Sequence, residues 1–301
     1  MVTGGVSAPP APEASGGPLA SLAATAPAAR TQIAALLGSR KLPAAGRSES
    51  DWQGSKHMIV RWMAVGFALW LAILLAFRFV GEWAFHEGPW GVSWLLLIMP
   101  LALWAITHLL LVVMRVTPDD RSEAASIMAV PGLLVGIYEI NSFGFVFPNL
   151  DASLAKEFAI LMFACYAAVI VGGRTTLTVR WMAVGFAFWI GLAAVLGTFG
   201  SPILQPGPGG VSWAFLTIPL ALLILTYLVV KAMGVEQSDR SEAATTMAVP
   251  GFLVGLYEVD RFAELFPTLD LSISSEFAAL MFACYAAVIL AGIVSSRLES
   301  I

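Results

Sequence analysis

The sequence predicts an all-α integral membrane protein: eight transmembrane helices arranged as two parallel, same-orientation four-helix repeats. Three observations predict it. Residues 60–173 and 179–292 are one sequence written twice at a constant offset of 119, without insertion or deletion, and about half of the paired positions are identical. Hydrophobic residues make up 58% of the 301-residue chain and charged residues 12%, against about a quarter charged in a soluble domain. Mean hydropathy is +0.83, and several apolar runs reach the ~20 residues that cross a bilayer core.

The repeat is read directly from matching phrases. Val60 to Ala68 returns as Val179 to Ala187, Asp120-Arg121-Ser122-Glu123 from Asp239, and Met162 to Ile170 from Met281. A single four-span unit has been duplicated and fused.

The elements follow in order. Residues 1–57 are rich in Ala, Pro, Gly and Ser and bury too little apolar surface to offset their ordering entropy. A disordered cytoplasmic tail is expected there, with Ala28 to Leu37 as a short helical candidate. No apolar core precedes a small-residue cleavage site, so no signal peptide is expected. An organellar transit peptide is the lesser alternative. The first repeat, 58–173, supplies spans Met58–Val80, Ser93–Val113, Ser122–Ile140 and Ala155–Gly173. A short link, 174–178, leads to the second repeat, 179–294, with spans Val179–Phe199, Ser212–Met233, Ser241–Val259 and Ser274–Val294. Residues 295–301 form the C-terminal tail.

Charge sets the orientation. If the third segment of each half crosses, thirteen of the sixteen Lys and Arg residues fall on the inner side and only Arg78, Lys156 and Arg261 fall outside. If it stops short, the split is ten against six. The positive-inside rule favours eight spans with both termini cytoplasmic, in a bacterial inner membrane. Because four is even, the second copy starts on the same side as the first. Trp83, Trp90, Trp94 and Trp213 are expected as anchors at the outer interface, and Trp52, Trp62 and Trp181 at the inner one.

Few residues carry chemistry. Asp120 and Asp239, each three residues before a Glu, read as capping boxes opening the third and seventh spans; the functional alternative has Arg121 and Arg240 holding an anionic headgroup. Small residues recur every third or fourth position in four spans: Ala125, Ala129, Gly132 and Gly136; Ala164, Ala168 and Gly172; Ala244, Ala248, Gly251 and Gly255; Ala283, Ala287 and Ala291. Such stripes let helix backbones approach closely in lipid, and the third and fourth spans of each half are expected to meet along them. Pro131-Gly132 and Pro250-Gly251 interrupt the third and seventh spans. Each is a static kink or a hinge on a solute path. Glu139 and Glu258 lie roughly 25 Å along their helices, a depth at which a hydrated carboxylate is expected. Together with Glu157 and Glu276 they are candidates for an outer vestibule.

His108 is the one histidine inside a span, with Tyr227 as its counterpart; it is a candidate ligand for a pigment metal, though no cofactor is evident. Cys165 and Cys284 occupy one repeat position and read as small core residues rather than a disulfide framework. The spans lack a central Lys, an HExxH, a P-loop and a Ser/His/Asp set, and Gly207-Pro208-Gly209-Gly210 reads as a turn. Enzyme chemistry is not expected, and a net charge of −4 gives no reason for nucleic-acid binding. The expected partners are the bilayer and other membrane subunits or a second copy. The leading expectation is an accessory or scaffold subunit in a membrane complex. A transporter or channel for a small neutral or weakly charged solute comes next, then a binder of pigment, quinone or lipid.

Overall fold

The computed structural model of the protein describes residues 49–85, 91–174, 178–205 and 210–298. The chain divides into two units, Met1–Gln53 and Gly54–Ile301. Of the first, only the opening of a helix from Glu49 is described, and the candidate helix at Ala28 to Leu37 lies outside the described residues.

Every regular element among the described residues is helical. The first half contains α1 (Glu49–Ala84), α2 (Gly91–Val113), α3 (Arg121–Asn141), the single turn α4 (Phe143–Val146) and α5 (Ala155–Gly172). The second contains α6 (Val179–Ile203), α7 (Gly210–Ala232), α8 (Arg240–Asp260), the single turn α9 (Phe262–Leu265) and α10 (Ser274–Leu298). Short 3-10 turns at Ala152–Leu154 and Leu271–Ile273 lead into α5 and α10.

Seven of these helices are long and apolar enough to cross a membrane, the build of a multi-pass membrane protein. The one left out is α8, although it has the 21 residues of α3. The difference is compositional: Thr246 stands where α3 has Ile127.

Burial sorts the helices into two layers. In α3, α5 and α10 most of the apolar stretch is buried, whereas α1, α2, α6 and α7 bury under a quarter of theirs. The sorting follows side-chain size. Small residues line α3 and α8, so neighbours approach closely, while Leu97, Ile98, Leu101 and Leu109 of α2 and Leu216, Leu220, Ile224 and Leu228 of α7 face outward. Packing pairs come in equivalent couples: α2 on α5 and α7 on α10, α3 on α5 and α8 on α10, and, across the two halves, α3 on α10 and α5 on α8. Helix α1 lies on α3 as α6 lies on α8. Gly66 and Gly185 permit this, since a Cβ there would sit 2.2 Å from the Met128 carbonyl oxygen and 2.4 Å from that of Met247.

At two places a residue meets its own counterpart. The Ser126 hydroxyl donates to Thr245 Oγ1 at 3.1 Å, and the rings of Phe163 and Phe282 stack with centroids 4.6 Å apart. The helix ends are braced across the halves as well. Arg297 at the end of α10 pairs with Glu123 at the start of α3, at 2.5 Å. Arg174, just past α5, donates to the Thr246 hydroxyl and to the Glu242 carbonyl of α8. Lys156 at the start of α5 donates to the Asp260 carbonyl at the end of α8, at 2.7 Å.

The expected capping boxes do not form. Asp120 and Asp239 adopt helical backbone angles and make no side-chain cap bond, because a cap carboxylate reaches back to the first turn only from an extended backbone. Asp120 accepts instead from Thr117, and Asp239 from Ser238. Arg121 and Arg240 turn their Nε–H groups toward the Val116 and Val235 carbonyls, and Arg240 is buried. True side-chain caps occur elsewhere, at Asp151 and Asp270, which accept from the Ser153 and Ser272 N–H groups at 2.8 Å. Among the tryptophans, Trp62 is buried, while Trp94 and Trp213 are exposed. Trp90 and the side chains of Trp52 and Trp83 lie outside what is described.

Candidate functional site

Polar groups in this bundle gather where α3, α5, α8 and α10 meet. The small-residue stripes make room for aromatic rings there. Gly132 faces Trp70 of α1, and Gly251 faces Trp189 of α6. Gly136 faces both Tyr166 of its own half and Phe282 of the other, and Gly255 faces Tyr285 and Phe163 in the same way. The rings form a continuous run: Trp70 on Tyr166 at 4.2 Å, Tyr166 on Phe282 at 5.4 Å, Phe282 on Phe163, Phe163 on Tyr285 at 5.5 Å, and Tyr285 on Trp189 at 4.6 Å.

The stripes therefore serve more neighbours than the third and fourth spans of one half. Ala125 meets Gly173, and Ala244 meets Gly292, within each half, whereas Gly172 packs on the Trp104 carbonyl and Thr107 of α2. Ala129 and Ala248 are fully buried, Ala287 and Ala291 nearly so, and Ala164, Ala168 and Ala283 partly.

Pro131 and Pro250 lie inside continuous helices and are buried. Around Pro250 the backbone is bonded from both sides: Trp189 Nε1–H donates to the Met247 carbonyl at 2.9 Å and the Tyr285 hydroxyl to the Gly251 carbonyl at 2.8 Å. The equivalent Trp70 Nε1 and Tyr166 hydroxyl have no partner among the described residues. Sequence reasoning missed a second proline pair, Pro100 in α2 and Pro219 in α7.

Glu139 and Glu258 are buried rather than open to solvent. They are 4% and 2% exposed. Counting residues along α3 puts Glu139 near the helix end. Beyond that end the chain turns straight back through α4, packing on α3 and burying Phe143, Val146 and Phe147. The second half repeats this with α9 and buried Phe262 and Phe266. Glu157 and Glu276 are half-buried; Glu157 Oε2 has no partner among the described residues, and Glu276 accepts from Ser275.

His108 stands on the exposed side of α2, stacked on Trp104 with centroids 6.3 Å apart. No group of three or more metal-ligating side chains occurs among the described residues. Cys165 and Cys284 are free and buried. An apolar recess of about 340 Å³ opens between α1 and α2, lined by Ile73, Phe77, Val80, Leu95 and Met99. At the helix ends, burial lowers the Arg174 guanidinium to about 10, opposed by the nearby Glu242 carboxylate.

A family model, DUF5367, described as a family of unknown function, matches this chain twice, over residues 89–179 and 210–299. The chain belongs to the DUF5367 family. Each DUF5367 segment begins just before or at the second helix of a half and runs to the end of its last long helix, so the bonded core of α3, α5, α8 and α10 lies inside the matched residues. Helix α1 and nearly all of α6 lie outside them, although the internal repeat includes both. No curated protein and no solved structure matches the chain.

Proposed function

We propose that this DUF5367 protein is an accessory or scaffold subunit of a membrane complex rather than an enzyme. Eight helices cross the bilayer in two same-orientation quartets, both termini are cytoplasmic, and the host is a bacterial inner membrane. The partners are lipid and other membrane subunits or a second copy, and nucleic acid is not among them. The observation that carries this reading is the filled surface between the halves. Phe163 against Phe282 and Ser126 against Thr245 bring equivalent positions into direct contact, and fully buried rings occupy the space around them. A scaffold needs a rigid interior and an outward face to offer. Leu134 and Tyr138 of α3, and their counterparts Leu253 and Tyr257 of α8, are exposed strips on otherwise buried helices, one in each half.

The same-orientation arrangement is supported by the helix ends. The start of α8 neighbours the end of α5 through Arg174, and the start of α3 neighbours the end of α10 through Arg297. Both starts lie near the Ser126–Thr245 contact. Cysteine labelling at Thr175 is expected to occur from the cytoplasmic side; labelling from outside overturns the topology.

In mild detergent, the protein is expected to migrate with larger partners. Migration at its own mass plus detergent counts against the scaffold. A second reading, transport of a small neutral or weakly charged solute, is favoured by the buried Glu139 and Glu258, which lie about two turns beyond Pro131-Gly132 and Pro250-Gly251 on the same helices. Vesicle uptake by the wild type and by the Glu139→Gln/Glu258→Gln variant tests it, and absence of flux in both removes it.

A further inference from the structure

Glu139 and Glu258 present a problem that the scaffold reading leaves open. They are the two carboxylates of the described chain buried in the core, one per half, at the same repeat position. An ionised carboxylate taken out of water needs a cation or several hydrogen-bond donors. Neither is supplied. No hydrogen bond or ion pair involves Glu139 or Glu258 among the described residues, and Glu258 Oε2 is fully enclosed without a partner.

The neighbouring groups account for why. The basic residues near this end of the bundle are committed elsewhere. Arg78 donates to the Val146 carbonyl at 2.6 Å, Lys156 pairs with Asp260, and Arg261 pairs with Asp260 and Glu264. In the second half the Arg78 position is Gly197 and the Lys156 position is Ser275, so that half has even fewer cations. The titratable groups facing the two carboxyls from the packed helices are Tyr166 of α5 for Glu139, and Tyr285 and Cys284 of α10 for Glu258. These carry no positive charge, and the one proton of the Tyr285 hydroxyl is given to the Gly251 carbonyl.

We infer that Glu139 and Glu258 are two equivalent proton-binding sites, each holding its carboxyl as the neutral acid in the folded protein. The step is plain: one carboxylate oxygen accepts one proton from solvent, an O–H bond forms, and the site's charge goes from minus one to zero. The proton takes the place of the missing cation. Release reverses it and leaves an uncompensated charge in the buried core. The inference stands whether the protein is a scaffold or a solute path.

Infrared spectroscopy of the full-length protein in lipid vesicles tests it, because a protonated carboxyl has its own C=O stretch, distinct from that of a carboxylate and sensitive to deuterium exchange. At neutral pH the wild type is expected to show this band. Glu139→Gln and Glu258→Gln are each expected to remove one component, and the double variant all of it. A wild-type spectrum without the band at neutral pH overturns the inference with no variant needed. A band that survives intact in the folded double variant overturns it equally.

Discussion

At the scale of single residues, the two halves differ in how their aromatic rings are anchored. Trp189 and Tyr285 both donate to backbone carbonyls beside Pro250, whereas Trp70 and Tyr166 stand against the equivalent glycines, Gly132 and Gly136, without a partner among the described residues. A net hydrogen bond contributes about 1 kcal/mol. Trp189→Phe and Tyr285→Phe are therefore expected to destabilise by about 1 kcal/mol more than Trp70→Phe and Tyr166→Phe, measured by unfolding in detergent. Equal losses in both halves would refute the difference. Glycine gives a second contrast. A side chain at Gly66 meets the Met128 backbone, which cannot swing aside, while Gly191 of α6 has nothing within 4 Å. Gly66→Leu is expected to cost about 1–3 kcal/mol or more through overpacking, and Gly191→Ala to leave the melting temperature unchanged or raised.

Among the elements, the helices were legible in the sequence and their ends were not. Hydropathy and length located all eight long helices, because an apolar run of that length has few other ways to satisfy its backbone in lipid. The caps escaped because Asp120 and Asp151 look alike in sequence, each an Asp ahead of a helix; only the backbone angle distinguishes them. Asp120 is already helical and Asp151 is extended, with φ −65° and ψ 137°. The burial of Glu139 escaped for a related reason. Distance along α3 is readable, but the return of the chain through α4 is a tertiary event with no periodic signature.

The caps at Asp151 and Asp270 predict a pH dependence. The Ser153 and Ser272 N–H bonds hold these carboxyls below their ordinary 3.8. Their contribution is complete above 3.8 and fades as the pH falls through the lower folded values. Asp151→Asn/Asp270→Asn is expected to flatten the acid limb of the stability profile. An unchanged limb would assign it to other groups.

For the molecule as a whole, the halves are joined by a symmetric interior and by braces that are not symmetric. Arg297 and Arg174 both tie the end of a last helix to the start of a third helix in the other half, yet they occupy different repeat positions: Thr178 and Ile293 stand at their counterparts. The Arg297–Glu123 pair is about a quarter exposed on each side. A double-mutant cycle with Glu123→Gln and Arg297→Gln is expected to give a coupling of about 0.5–1 kcal/mol, read by unfolding. Zero coupling would make the pair incidental.

The residues that touch their own counterparts reach further. In a homodimer of single units, such a position changes on both sides at once, so every mutation there is its own partner. Covalent fusion releases that constraint: Ser126 and Thr245 differ by one methyl group, and their hydroxyls still meet at 3.1 Å. Phe163 and Phe282 have kept their match. Where the halves of one chain meet, equivalent positions are thus free to carry different residues, and here one pair differs while the other matches.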